Sequence, residues 1–302
     1  MKKVAVTGGL GFIGSNLVHE LVGQGYDVHV LDIVSEPPIA SRRAPGATYH
    51  VGDVRDGAHL RTLMEGAAYV FHLAALPRVQ YSIEHPEETH MVNVNGTLAV
   101  LVAARDAGVE RVVNSSSGAV YGEQERMPFS EDMAPNPMSP YALHKYIGER
   151  YCEHFSQMYQ VPTVSLRYFN VYGPHDDPQG PYALVVSRFI EMRRAGQPLT
   201  IRGDGMNSRD YTHVRDVVAA NIQAATSPHV GSGEVCNIGG GRAISVREVA
   251  ACIGGETVTV AACVEPRHAL SDTTRARMLL AWQPTVVFED GVEELKRNAG
   301  IL

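Results

Sequence analysis

Short runs of β-branched and other apolar residues alternate with longer amphipathic stretches through the first half of the chain. The short runs predict strands and the longer stretches predict helices, because the two element types repeat at periods of two and about 3.6 residues. The predicted strands are Lys3–Thr7, Asp27–Asp32, Thr48–Val51, Tyr69–Leu73, Arg111–Ser115 and Thr163–Arg167. The predicted helices between them are Phe12–Gln24, Gly57–Met64, Thr89–Ala107 and Pro140–Gln160. Strands that alternate with helices predict an α/β fold with a parallel sheet covered on both faces.

The alternation of strand and helix patterns becomes less regular after about Tyr168, where glycine and proline become more frequent. Further helices are predicted at Leu184–Ala195, Val214–Ala225 and Ser245–Ile253, the last opened by a capping box of Ser245 and Glu248. With 302 residues the chain can form one large or two modest domains. We predict a first domain of residues 1–167 and a smaller α/β domain of residues 168–302, with a soft boundary that segments can cross.

A glycine-rich loop, Thr7–Gly14, follows the first predicted strand and opens the first helix. Its glycines fit both the G-x-x-G-x-x-G and the G-x-G-x-x-G spacing, which allow a tight turn and a close approach to a pyrophosphate. Asp32 closes the second strand, and its carboxylate suits the two hydroxyls of an adenosine ribose and repels a 2′-phosphate. This context predicts a doubly wound, Rossmann-type sheet that binds NAD rather than NADP.

Tyr141 and Lys145 lie four residues apart, after Ser139 and Pro140, which are typical of a helix N-cap and of a first helical residue. Residues at this spacing share one face of a helix. A tyrosine has an ordinary pKa of about 10, and a nearby positive charge favours its phenolate. The pair is therefore a candidate general base and its cation, although the spacing also occurs on ordinary surface helices.

Composition narrows the function further. The net charge of −7 and the pI of about 6.0 argue against a nucleic-acid-binding protein, which carries a basic excess. No signal peptide or membrane-spanning stretch is recognisable, so we expect a cytoplasmic protein without a membrane partner. The four cysteines, Cys152, Cys236, Cys252 and Cys263, are scattered, and no metal site is predicted.

Further motifs accompany the glycine loop and the Tyr141/Lys145 pair, and together they cover nearly the whole chain. They are Asp53-Val54, Phe71–Ala75, Ser115–Gly122, Arg167–Pro174 and Gly203–Tyr211. With these motifs the chain resembles the extended short-chain dehydrogenase/reductase superfamily, and within it the nucleotide-sugar epimerase/dehydratase group. The resemblance implies that the first half binds NAD and that the C-terminal part binds a nucleoside diphosphate sugar.

The resemblance also implies roles for single residues. Tyr141 would be the catalytic base, Lys145 would bind the nicotinamide ribose, and Ser117 would bond the reacting sugar hydroxyl. Asn170 and Arg209 would hold the diphosphate. The implied NAD-binding residues are Gly8, Gly11, Phe12, Ile13, Gly14, Asp32, Asp53, Val54, Leu73, Ala74, Ala75, Tyr141, Lys145 and Tyr168.

The residues after Ser117 separate the reactions of the group. Dehydrating members resemble one another in carrying an Asp-Glu pair there, and decarboxylating members generally keep the glutamate. This chain has Gly118 and Ala119, which cannot move protons. The resemblance therefore favours 4-epimerisation of UDP-glucose/UDP-galactose and of UDP-GlcNAc/UDP-GalNAc. The alternatives are a UDP-uronate 4-epimerase, which Asn170 disfavours, or another nucleotide-sugar-modifying enzyme of the family. A non-catalytic NAD-sensing regulator is a more remote alternative.

Two features near the C-terminus bear on the substrate. Ala269 falls where the family places a residue against the sugar, and its small side chain leaves room for an N-acetyl group. The preceding stretch departs from the family's pattern: either Arg267 replaces the usual phosphate-binding arginine in a shortened loop, or that contact is lost. Arg78 stands where some epimerases carry a lysine toward the cofactor phosphates. The resemblance also implies a homodimer, formed through the helices near Thr89–Ala107 and Pro140–Gln160.

Overall fold

The computed structural model describes residues 1–178, 184–262 and 267–302. Its strands are β1 (Lys3–Thr7), β2 (Asp27–Asp32), β3 (Thr48–Val51), β4 (Ala67–His72), β5 (Arg111–Ser117), β6 (Thr163–Tyr168), β7 (Val171–Tyr172), β8 (Leu199–Arg202), β9 (Ser208–Asp210), β10 (Thr212–His213), β11 (Ser232–Ile238), β12 (Ala243–Ser245) and β13 (Thr257–Val260). Its α-helices are α1 (Phe12–Gly23), α2 (Gly57–Met64), α3 (Val79–Glu84), α4 (Pro86–His90), α5 (Gly96–Ala107), α6 (Pro140–Tyr159), α7 (Val185–Arg194), α8 (Val214–Thr226), α9 (Val246–Ile253), α10 (Thr274–Leu280) and α11 (Phe288–Asn298).

Seven parallel strands form the central sheet, in the order β11-β6-β5-β4-β1-β2-β3. All six strands predicted from the first half lie in this sheet, and the predicted fold class is confirmed. The strand β5 extends two residues beyond the predicted end, to Ser117. Ser117 is therefore held by the sheet, at the edge where ligands of such folds bind.

The strand β11 was not predicted, and it comes from the segment assigned to the second domain. It pairs with β6 along its whole length, from Thr163 to Tyr168. Only the C-terminal half of β11 is buried, which explains why its apolar pattern is weak. The helices α8 and α10 also contribute to the core of the central sheet, so the chain crosses the boundary at residue 168 more than once.

One predicted helix is interrupted in the structure. The stretch predicted as Thr89–Ala107 forms α4, a π-helical turn at Met91–Asn95, and α5. The turn places the Asn93 side chain against the backbone of Leu76, donating to its carbonyl at 3.0 Å and accepting from its N–H at 2.7 Å. A π-helical turn is frequent at functional sites, and this one supports the loop that follows β4.

Three large hydrophobic clusters and a small one stabilise the part of the chain that the structure describes. Two of them cover opposite faces of the central sheet, one beneath α1 and α8 and the other beneath α2, α5 and α6. The third joins α7, α9 and α11 with the short strands of the second half. The carboxyl ends of β1, β4, β5 and β6 lie at one edge of the central sheet. Asn170, just after β6, lines a cavity together with residues of α7 and β8, and we call the space between this edge and the second half the cleft.

Candidate active site

The helix α6 begins as the sequence predicts. The Ser139 hydroxyl accepts a hydrogen bond from the Ala142 N–H at 3.2 Å, and Pro140 is the first helical residue. The Tyr141 N–H donates to the Ser82 hydroxyl of α3 at 3.0 Å, which ties the first turn to a neighbouring helix. Tyr141 and Lys145 therefore project from a fixed helix end toward the end of β5.

Lys145 is bound to the end of β5. Its ammonium donates to the Ser115 carbonyl at 2.7 Å. Burial disfavours the charged amine and lowers the pKa of Lys145 to about 8, while the negative charge of Glu149, one turn further along α6, acts in the opposite direction.

The Tyr141 phenol lies beside Ser117. Burial raises the pKa of Tyr141, and the interaction with the Ser117 hydroxyl and the charge of Arg78 lower it. Burial outweighs both, so the pKa of Tyr141 is raised above its ordinary value. Stabilisation of the phenolate by Lys145, as the spacing suggests, stays a prediction. Ser117 itself caps the short 3-10 turn Gly118–Tyr121, since its hydroxyl accepts from the Ala119 N–H at 3.2 Å.

The position after Ser117 is tightly packed. A Cβ atom at Gly118 would lie 3.0 Å from two carbon atoms of the Phe169 ring. Phe169 is buried against Tyr121 and Phe129, so its ring cannot easily move away. The ring therefore occupies the space that an acidic side chain at position 118 would need.

The glycine loop fits a dinucleotide pyrophosphate. A Cβ at Gly14 would lie 2.1 Å from the Gly8 carbonyl oxygen, and Gly8, at φ +73°, would place a Cβ 2.7 Å from the Ala74 nitrogen. The loop therefore packs closely against both α1 and the segment after β4. Gly11 is the N-cap of α1 and provides no side-chain cap, which leaves the N–H groups of Phe12 and Ile13 directed at the loop.

The other predicted NAD-binding residues surround this loop. Asp32 accepts from the Leu10 N–H at 2.9 Å, which places its carboxylate beside the glycines. Asp53 is ion-paired with Arg55, and Val54 packs under Gly96 of α5. The Leu73 N–H donates to the Thr7 carbonyl, and the segment Leu73–Ala75 thus lies directly beside the loop.

Tyr168 is used differently from the sequence expectation. It is buried, and its hydroxyl contacts the Ser115 hydroxyl at 3.1 Å and the Asn221 side-chain oxygen of α8 at 2.9 Å. These contacts stabilise the packing of α8 on the sheet. A contact of Tyr168 with NAD stays a prediction.

A buried histidine network supports the loop and was not found from the sequence. His72 at the end of β4 contacts the hydroxyls of Thr7 at 2.8 Å and Thr97 at 2.9 Å. The Thr97 hydroxyl donates to the Asn93 carbonyl, so His72 donates from Nε2 and accepts at Nδ1. Burial lowers the pKa of His72 to about 3, and the ring is neutral near pH 7. A threonine-histidine-threonine chain leaves no local sequence signal, because its members come from three elements.

A cavity of about 360 Å³ lies on the second-half side of the cleft. Asn170 and Arg209, both predicted from the sequence, line it together with Arg188 of α7 and Arg202 of β8. Arg188 and Arg202 were not predicted from the sequence, because neither belongs to a recognised motif. Three guanidinium groups in one cavity of a chain with a net charge of −7 fit a ligand with several negative charges.

Ala269 and Arg267 lie on neighbouring parts of one segment beside β9. The Ala269 N–H donates to the Ser208 carbonyl at 3.1 Å, and its side chain packs against Tyr121, Phe129 and Phe169. The Arg267 guanidinium is largely exposed and pairs with Asp204 at 3.2 Å. Binding of a phosphate by Arg267 stays a prediction, and residues 263–266, which include Cys263, lie outside the described residues.

Two further properties of the described residues bear on the site. No helix there is both long and apolar enough to cross a bilayer. No three histidine, cysteine or acidic side chains in the same part of the chain are grouped to hold a metal ion.

The chain matches the model of the NAD-dependent epimerase/dehydratase family over residues 4–239. It is 39% identical to a UDP-glucose 4-epimerase of Mycolicibacterium smegmatis, in an alignment that covers 96% of both chains.

Solved structures of similar proteins superpose closely on this fold. The UDP-glucose 4-epimerase of Thermotoga maritima, solved with UDP-glucose, has a TM-score of 0.91 and 34% identity, and the match covers 99% of this chain and 98% of that one. The UDP-glucuronic acid 4-epimerase of Bacillus cereus, solved with UDP-glucuronic acid and NAD, has a TM-score of 0.89 and 30% identity, with 99% of both chains covered.

Proposed function

We propose that this chain, which belongs to the NAD-dependent epimerase/dehydratase family, is a UDP-hexose 4-epimerase. The observation that carries the proposal is the position of Tyr141 and Ser117 at the end of β5, beside the glycine loop and with no acidic side chain at positions 118 and 119. Such a site has one general base for the sugar. Epimerisation at C4 needs only one base and a hydride acceptor.

NAD, when bound, accepts a hydride from C4 of the sugar and returns it. The residues that would hold it are the glycine loop, the first turn of α1, Asp32, and the segment Leu73–Ala75. We infer that Lys145 binds the nicotinamide ribose, and the position of its ammonium at the end of β5 supports this role.

Tyr141 would take the proton of the C4 hydroxyl and later return it. Ser117 would hydrogen-bond the same oxygen, since a serine hydroxyl can both donate and accept. Burial raises the pKa of Tyr141 and outweighs the Ser117 hydroxyl and the Arg78 charge, which act in the opposite direction. The role of base therefore depends on further stabilisation of the phenolate by a positive charge, which we assign to Lys145.

Dehydration and decarboxylation are disfavoured by packing as well as by sequence. Elimination of water needs further acid-base groups near C5 and C6. Gly118 is pressed against the Phe169 ring, so even a substitution to aspartate would displace that ring. The tight packing at position 118 thus supports a site without a second catalytic acid there.

The nucleotide part of the substrate would occupy the cavity lined by Asn170, Arg188, Arg202 and Arg209. Guanidinium groups bind diphosphates through charge-assisted hydrogen bonds. Ala269 would lie beside the sugar, where a bulky residue would fill the space that an N-acetyl group needs. Its small methyl group supports the use of UDP-GlcNAc as well as UDP-glucose.

A UDP-uronate 4-epimerase is the second candidate. Its support is the similarity to the Bacillus cereus enzyme, with a TM-score of 0.89. A non-catalytic NAD-sensing regulator is the remote alternative, and the joint presence of Ser117, Tyr141 and Lys145 speaks against it.

The test is to incubate the purified protein separately with UDP-glucose, UDP-GlcNAc and UDP-glucuronic acid, with NAD supplied. The anomeric proton signals are followed by NMR. We expect conversion of UDP-glucose to UDP-galactose and of UDP-GlcNAc to UDP-GalNAc. Conversion of the uronate alone would favour the second candidate, and conversion of none would refute an epimerase.

We also infer a homodimer. The helices near the predicted interface carry large apolar side chains that are about half exposed, namely Ile83 (53%), Leu143 (45%) and Met91 (43%). Light scattering behind a sizing column should give the mass of two chains, and Leu143→Glu should shift it to one. The cytoplasmic location stays a prediction.

A further inference from the structure

A buried ion pair lies directly behind the catalytic pair, and the chemistry above does not use it. Glu149 follows Lys145 by one turn of α6, and Arg167 belongs to β6. Arg167 donates to both carboxylate oxygens of Glu149, at 2.8 and 2.7 Å. The side chains of Glu149 and Arg167 are 3% and 4% exposed, respectively.

Stability alone is a weak reason for this pair. Removing two charges from water costs several kcal/mol, and apolar residues of similar volume are often as stable in such a place. Arg167 Nη1, moreover, is buried and has no hydrogen-bond partner within the described residues. We therefore look for a role of the Glu149–Arg167 ion pair in positioning the residues that it contacts.

Glu149 binds Ser116, the middle residue of Ser115–Ser117 at the end of β5. The Ser116 hydroxyl donates to the Glu149 carboxylate, and Ser116 is also the register partner of Arg167 across β5 and β6. Ser116 lies between Ser115, whose carbonyl receives the Lys145 ammonium, and Ser117, which contacts Tyr141. A shift of Ser116 would move both contacts.

We propose that Glu149 is a positioning residue for the epimerisation: it fixes the strand end Ser115–Ser117 against α6, and it sets a negative charge one helical turn from the Lys145 ammonium. The proposal rests on the proposed function for its kinetic consequences. Its structural content, the dependence of Lys145 on Glu149, can be measured without turnover.

The other ionisable groups around Lys145 do not replace Glu149. On the same helix, burial raises the pKa of Cys152 to about 12 and lowers that of His144 to about 4, so both are neutral near pH 7. His72 faces Lys145 from β4 and is neutral as well. His90 of α4 packs edge-on against the ring of His144. The phenol of Tyr141 lies one turn earlier. Glu149 is thus the carboxylate that opposes the effect of burial on Lys145.

The first experiment compares the pH dependence of kcat in three variants with that of the wild type. The double variant Glu149→Gln/Arg167→Gln removes both charges and keeps hydrogen-bonding groups, which avoids a lone buried cation. We expect its alkaline limb to move to lower pH, because Lys145 loses the neighbouring carboxylate and gives up its proton earlier. We expect kcat to fall about tenfold and KM to change less than twofold.

Two single variants separate charge from position. Glu149→Asp keeps the charge and shortens the side chain, so kcat should fall with the pH profile unmoved. Ser116→Ala removes the contact with Glu149 and leaves the ion pair intact, so its profile should also stay in place. An unmoved profile in the double variant, or a shifted one in Ser116→Ala, would overturn the proposal.

A direct titration of the Lys145 amine by NMR, using ¹⁵N-labelled lysine, removes the dependence on activity. Ser116→Ala and the wild type should titrate alike, and the double variant should titrate at lower pH. If the wild type turns over no UDP-hexose, the proposed function fails while this titration still decides the role of Glu149. Equal titration in a folded double variant would refute it.

Discussion

The two sides of the cleft are constructed in different ways. On the dinucleotide side, groups are held by backbone contacts and buried side chains, as with Gly14 against the Gly8 carbonyl and Lys145 on the Ser115 carbonyl. On the sugar-nucleotide side, Arg188 and Arg202 are exposed and reach into the cavity on long side chains. The groups of the dinucleotide side are therefore fixed by their packing. The exposed arginine side chains of the sugar-nucleotide side have more conformational freedom.

This difference has consequences for function. A site that transfers a hydride and a proton needs its groups fixed to within a fraction of an ångström. A site that binds a diphosphate can rely on several flexible cations, each of which contributes part of the affinity. We therefore expect single substitutions to abolish function on the first side and to weaken binding gradually on the second.

The largest effect is expected for Gly14→Ala. Its Cβ would lie 2.1 Å from the Gly8 carbonyl oxygen, so the loop and α1 must separate and the pyrophosphate site is lost. The purified variant should retain less than a tenth of the NAD carried by the wild type, measured by release on acid denaturation. Gly23→Ala on the same helix, where nothing lies within 4 Å, should retain NAD fully. Equal NAD content in both variants would contradict the rigid loop.

Tyr141→Phe should abolish turnover and leave the fold intact. Loss of a general acid-base group costs about 10²–10⁴-fold in kcat. NAD retention should be unchanged, since the ring remains in place. Tyr159→Phe at the exposed end of the same helix is the matched control and should keep wild-type activity. A Tyr141→Phe enzyme with more than a tenth of the wild-type kcat would exclude Tyr141 as the base.

His72→Gln should change how stability depends on pH. In the unfolded chain a histidine binds a proton near pH 6.5, whereas His72 in the fold remains neutral down to about pH 3. The unfolded state therefore binds more protons in this window, and the free energy of unfolding falls as the pH is lowered. The variant lacks this one-proton difference between the unfolded and folded states. The slope of its unfolding free energy against pH should therefore be smaller by about 1.4 kcal/mol per pH unit.

Urea unfolding between pH 4 and 6 measures this slope. His144 and His213, whose pKa values are also lowered by burial, to about 4, should leave part of it in the variant. His154→Gln, an exposed position of α6, should keep the full slope. An unchanged slope in His72→Gln would mean that the histidine network does not remain neutral in the fold.

The smallest effect is expected for Arg188→Met. Exposed charge pairs are worth about 1 kcal/mol or less, so the Kd for UDP should rise about three- to fivefold. Titration calorimetry with UDP measures it. Arg194→Met on the same helix is the control, because Arg194 pairs with Glu191 and does not line the cavity. A loss of more than 50-fold in UDP affinity in Arg188→Met would mean that the sugar-nucleotide side is as sensitive to single substitutions as the dinucleotide side.

The same difference explains what could be predicted from the sequence. Five predicted strands begin at their observed residues, and Ser139 caps α6 as expected, because local patterns and caps determine these features. The glycine loop, Asp32 and the Tyr141/Lys145 pair are close in sequence to the elements that position them. Local signals are thus sufficient for most of the dinucleotide side.

Long-range contacts account for what was missed. The strand β11 gains its place by pairing with β6, some seventy residues away, although its own apolar pattern is weak. Arg188 and Arg202 meet in one cavity only because α7 and β8 pack together, and the Ser116–Glu149–Arg167 contacts join two strands and a helix. No window of sequence contains such sets of residues.

The most direct test of the central claim, that one base and a bound dinucleotide suffice for epimerisation, uses deuterium. The purified protein, with the dinucleotide it carries and none added, converts UDP-glucose in D₂O, and the product is examined at C4 by NMR and mass spectrometry. The account predicts UDP-galactose with hydrogen at C4, because the hydride that leaves the sugar returns to it. Deuterium at C4, or no UDP-galactose at all from protein that retains NAD, would contradict it.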